Sequence, residues 1–175
     1  MRIVSVSNRS SAIECKHGPE ECIGDILILC AANLPFPPDA ELTPTTPRTP
    51  TIRSLGFANC LISSFSRIPE REFVEQCALE HGIQFEAINE CASRQEDDPN
   101  SGQHGKGPLS GISLLRESAL HSVDVDVTTS CTVRLDDSVW CVRDDGKWTD
   151  CAKDGEGSKP AMLADQVRKL WKEKN

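Results

Sequence analysis

Cys15-Lys16-His17-Gly18-Pro19-Glu20-Glu21-Cys22 places two thiols, an imidazole and two carboxylates in one short segment, and Cys30 follows in the same run. A thiolate attacks disulfides, an imidazole moves protons near neutral pH, and a carboxylate can orient that imidazole. Cys15, His17, Cys22 and Cys30 are also the donor types of a zinc site. Structural zinc sites favour tighter Cys-x2–4-Cys pairs, and His17 stands only two residues from Cys15, so no metal site is expected; metal analysis of the purified protein checks this. The plainer reading is structural. A disulfide closes the Cys15 to Cys22 loop or ties it to other helices, His17 fixes a turn, Gly18 supplies backbone angles, and Glu21 is an acid at a helix N-terminus.

Nine cysteines in 175 residues, namely Cys15, Cys22, Cys30, Cys60, Cys77, Cys91, Cys131, Cys141 and Cys151, indicate disulfides formed in an oxidising compartment. All nine are candidate disulfide partners, and the odd number leaves one thiol unpaired or paired outside the chain. Asn8-Arg9-Ser10 is a glycosylation acceptor pattern, in keeping with a secreted or lumenal chain. No signal peptide precedes Arg2 to Val6, which suggests that the true beginning is missing. A net charge of -8 opposes nucleic-acid binding, which needs a basic surface to displace counterions. No run approaches the roughly 18 apolar residues of a membrane-spanning helix.

The elements that must position these residues follow from periodicity and breakers. Arg2 to Ser7 alternates and reads as a strand. Pro19-Glu20-Glu21 opens a helix that runs to about Asn33, with Cys22, Ile26, Leu29, Cys30 and Asn33 on one face. Six prolines between Pro35 and Pro50 make a Pro/Thr-rich loop over 34–50, read as a solvated spacer. Helices are expected over 51–66, from Pro69 to a His81-Gly82 cap, and over 83–92, with Cys60, Cys77 and Cys91 facing inward. Residues 95–107 read as a loop and 108–122 as a helix. The period then changes to two. Val127 to Leu135 and Ser138 to Arg143 form a hairpin about Asp136-Asp137, Asp144 to Lys147 turns into a short third strand, and Pro160 to Lys174 is the last helix. A two-residue turn at Asp136-Asp137 would put Cys131 and Cys141 on opposite faces and a three-residue turn on one face; Cys141 with Cys151 is the preferred pair there.

The pattern Cys-x-His-Gly-x-x-Glu-Cys-x-x-(Asn/Asp)-x-x-x-x-Cys resembles the signature of the gamma-interferon-inducible lysosomal thiol reductase (GILT) family. Cys15, His17, Gly18, Glu21, Cys22 and Cys30 match at the family's spacing, with Lys16 in place of Gln and Asp25 in place of Asn. The resemblance implies an α/β, thioredoxin-like fold that lacks its first strand and first helix. Residues 1–175 would form one domain, with a helical, disulfide-rich insertion over 12–107 and a helix-strand-strand-helix half over 108–175. It also implies reduction of protein disulfides, with electrons from a small thiol, no cofactor, and a lysosomal, vacuolar or extracellular location.

The family's reacting Cys-x-x-Cys is absent from this sequence and is expected upstream of Met1, so no catalytic residue is assigned within the chain. The cis-proline usual before the third thioredoxin strand has no counterpart at Thr129-Ser130-Cys131. Strand 3–7 and the strand after Ser130 would each lack a neighbour, which predicts poor stability. Two functions follow: a thiol–disulfide oxidoreductase scaffold that is inactive as it stands, or a noncatalytic secreted or lumenal binding module. An in-frame upstream strand with Cys-x-x-Cys and a leader favours the first, and an in-frame stop favours the second.

Overall fold

A computed structural model describes residues 3–6, 13–94, 108–129 and 131–175, the first of these as backbone only. The glycosylation pattern at Asn8 and the loop expected over 95–107 lie outside the described residues. Among those described, the architecture is mixed α/β, with six α-helices, small antiparallel sheets and four disulfides. The chain divides into two compact units, Ile3–His121 and Ser122–Asn175.

The first unit begins with β1 (Ile3–Val6), which pairs antiparallel with β2 (Ile13–Cys15), Ile3 opposite Cys15 and Val6 opposite Ile13. The expectation that the first strand lacks a neighbour is therefore corrected: a three-residue strand too short to show a period supplies one ladder.

Helix α1 (Pro19–Asn33) starts where Pro19 presets φ and Glu20 and Glu21 meet the positive end of the helix dipole. Its buried face is Gly24, Ile26, Leu27, Cys30 and Ala31. Cys22, Leu29 and Asn33, expected on the inward face, are only partly buried. The Pro/Thr segment is irregular, closed at its ends by a bridge between Pro35 and Arg48.

Helix α2 (Thr51–Ser63) ends before the expected 66, and Phe65–Arg67 continue as a 3-10 turn. It buries only Phe57 and Leu61; Leu55, Ile62 and Phe65 stay exposed although their spacing is apolar. Helices α3 (Arg71–Glu80) and α4 (Phe85–Ser93) bury Cys77 and Cys91. Gly82, at φ +62°, provides the left-handed step after α3, and its N–H bonds to the Leu79 carbonyl. Helix α5 (Gly111–Asp124) packs where a side chain would not fit: a Cβ on Gly111 would lie 2.5 Å from Ile26 Cγ2 and 3.3 Å from Cys30 Sγ.

In the second unit β3 (Thr132–Leu135), β4 (Ser138–Asp144) and β5 (Lys147–Thr149) form a meander in the order β3-β4-β5. Asp136 and Asp137 both have positive φ, as do Asp145 and Gly146, so both reversals are two-residue turns whose twist matches the strands. The strand expected from Val127 begins only at Thr132, because Asp126 and Cys131 take left-handed conformations that end extended pairing. Trp140 is buried, and its indole N–H donates to the Gly157 carbonyl at 2.9 Å. Helix α6 (Pro160–Lys174) again carries proline at its first turn, and Lys174 pairs with Asp136.

Candidate functional site: the disulfide-clamped start of helix α1

The residues that could do chemistry meet where β2 turns into α1. The Gly18 N–H bonds to the Cys15 carbonyl at 3.1 Å, closing a tight turn, and Gly18 takes φ +96°, which a side chain would strain. That turn brings Cys15 to Cys22, on the first turn of α1, and the two are joined as a disulfide with Cα atoms 5.7 Å apart. Closing this short loop removes about 2.5 kcal/mol of unfolded-chain entropy in the loop-closure account.

His17 lies on the rim of the loop. Its backbone N–H donates to Glu21 Oε2 at 2.8 Å, and its Nδ1 is 3.3 Å from Glu21 Oε1. Burial alone would raise the Glu21 carboxyl, but the His17 backbone N–H and the imidazole outweigh it and hold the group below the usual carboxylate range. Both interactions bind His17 to Glu21 across the turn, and neither aims the imidazole at a thiol.

One turn further along α1, Asp25 stands in the position where the family signature has Asn. Its Oδ2 is buried with no hydrogen-bond partner. Burial, and then the neighbouring Glu21 charge, push the Asp25 carboxyl up to about 6. Asp25 lines a groove of about 470 Å³ between α1 and the 62–68 segment, together with His17, Glu20, Glu21, Ile28 and Phe65. The sequence pattern shows Asp25 as a substitution, but not that this residue lines a groove. The apolar excess of Ile62 and Phe65 was the one signal that this wall exists.

The other cysteines are tied in pairs. Cys30 of α1 joins Cys91 of α4, Cys60 of α2 joins Cys77 of α3, and Cys141 joins Cys151. Cys131 alone is free, and it is exposed. Thus Cys15, Cys22 and Cys30, the three cysteines of the signature, are all engaged in disulfides. Among the described residues no group of three or more His, Cys, Asp or Glu side chains is arranged to hold a metal ion, and no helix is long and apolar enough to cross a membrane.

Such an arrangement braces the turn and ties α1 to α4 and α2 to α3. It does not present a thiolate beside a second thiol, which disulfide exchange with resolution needs. Comparison with known proteins bears on this geometry. The family model described as gamma interferon inducible lysosomal thiol reductase (GILT) matches residues 3–95, just over half of the chain. No curated protein and no solved structure matches significantly.

Proposed function

The chain belongs to the gamma interferon inducible lysosomal thiol reductase family, and from that membership we propose that it is a thioredoxin-like scaffold for a thiol–disulfide oxidoreductase acting on protein disulfides in the secretory pathway. On this reading residues 1–175 brace the fold and dock the substrate, while the attacking and resolving thiols are not among their nine cysteines. The observation that carries it is the pairing of Cys15 with Cys22: the segment richest in reactive residue types is closed as a structural loop.

The chemistry supports the division of labour. Exchange begins when a thiolate attacks one sulfur of a substrate disulfide, and it ends when a second thiol of the enzyme displaces the substrate from the mixed disulfide. Cys131, the free cysteine, could form such a mixed disulfide, but every other cysteine is already bonded, so no second thiol of the chain displaces the substrate and its release is left to the small thiol itself. A lysosomal, vacuolar or extracellular location accords with the disulfide content.

A second reading, a noncatalytic disulfide-rich binding module, is favoured by the groove beside Asp25, which needs no thiol chemistry to bind a ligand. The test of the first reading is reduction of insulin by a small thiol in the presence of residues 1–175. The expected rate is that of the thiol alone, and Cys15→Ser with Cys22→Ser leaves it unchanged. Turnover above that background which the double substitution abolishes would make Cys15 and Cys22 the reacting pair and overturn the proposal.

A further inference from the structure

We propose that the groove between α1 and the 62–68 segment is a docking site for a polypeptide segment that places a lysine or arginine side chain beside an apolar one. One wall carries the carboxylates of Glu20, Glu21 and Asp25, and no lysine or arginine is among the residues that line the groove. Asp25 lines this wall, and its Oδ2, shut off from water, has no hydrogen-bond donor within the protein, so its charge is left without a local partner. The opposite wall is apolar. Ile62 is 63% exposed and Phe65 74%, large side chains that a folded chain rarely leaves in water at one place.

Each half of the groove asks for a different group. An ammonium or guanidinium meets the wall of Glu20, Glu21 and Asp25 carboxylates and offsets the repulsion between Asp25 and Glu21, and a charge-assisted bond to such a wall is stronger than a neutral one. An adjacent apolar side chain removes Ile62 and Phe65 from water. Inorganic cations fit poorly, because no three-donor group is arranged to ligate one among the described residues. Nucleic acids and anionic lipid surfaces are repelled by the carboxylates.

The site does not rest on thiol exchange, and a cysteine-free probe keeps the two questions apart. The experiment is fluorescence anisotropy of oxidised residues 1–175 with a labelled ten-residue peptide alternating arginine and leucine. Two matched peptides replace arginine by glutamate, or leucine by serine. Tighter binding of the arginine–leucine peptide than of both others is expected. Asp25→Asn and Phe65→Ser should each weaken it about tenfold, the equivalent of about 1.4 kcal/mol. Leu79→Ser, at an exposed apolar position on α3 outside the groove, should leave it unchanged. Equal binding of the three peptides would overturn the proposal, as would unchanged affinity in Asp25→Asn and Phe65→Ser, or an equal loss in Leu79→Ser. A self-associated chain that Phe65→Ser dissociates, with no peptide bound, would assign the groove to a second copy instead.

Discussion

Replacing Cys30 and Cys91 together by alanine should destabilise the first unit more than removal of either of its other two disulfides. The bond ties α1 to α4 across 61 positions of chain, whereas Cys60–Cys77 spans 17 and Cys15–Cys22 spans 7. In the loop-closure account these lengths correspond to about 4, 3 and 2.5 kcal/mol, because a longer closed loop removes more conformations from the unfolded chain. As a pair, Cys30 and Cys91 are also the most buried of these three disulfides, at 0% and 3% exposure beside Gly111 of α5. Their truncation to alanine adds about 1 kcal/mol of lost packing. With a urea slope of about 1.5 kcal/mol/M, the unfolding midpoint should fall by about 3 M, against less than 2 M for Cys15→Ala with Cys22→Ala. Urea melts of the oxidised proteins, followed by far-ultraviolet circular dichroism, measure both. A Cys15/Cys22 variant that loses as much as the Cys30/Cys91 variant would refute the loop-length reasoning and would show that the signature loop stabilises the fold by other means.

Two more substitutions test the local geometry. An aspartate carboxyl raised by burial to about 6 from its ordinary 3.8 favours the protonated folded state, so its contribution is fully present below about pH 4 and is lost as pH rises through about 6. Asp25→Asn should therefore stabilise the protein at pH 7 by on the order of 1–2 kcal/mol, after allowance for solvent screening, and change little at pH 4. Thermal melts of both proteins between those limits check it, and parallel pH profiles would contradict it. Gly111→Ala should cost about 1–3 kcal/mol, since the new Cβ overlaps Ile26 and approaches Cys30, and a melt equal to wild type would show that α5 is not held against α1.

Much of the helical framework was legible because local chemistry decides it. Pro19 and Pro160 at helix starts, the His81-Gly82 stop and the proline run after Leu34 each act within a turn of the chain. The hairpin turns were equally local, since Asp136-Asp137 and Asp145-Gly146 tolerate positive φ. What escaped the sequence was set at longer range. β2 is visible only through its pairing with β1, and the strand expected from Val127 begins only at Thr132, after a left-handed Cys131. On α2 the apolar residues outnumber the positions that other helices can cover, so periodicity could not say that Leu61 is buried and Ile62 exposed. The signature showed which residues cluster at the start of α1, but whether Cys15 and Cys22 react or brace depends on which sulfur each one meets.

That distinction is best tested by mapping the disulfides of the oxidised chain after alkylation of free thiols under native conditions. The structure predicts Cys15–Cys22, Cys30–Cys91, Cys60–Cys77 and Cys141–Cys151, with the alkyl group on Cys131 alone. Alkylation of Cys15 or Cys22, or a bond from either to another cysteine, would contradict the assignment of the signature segment as a structural clamp.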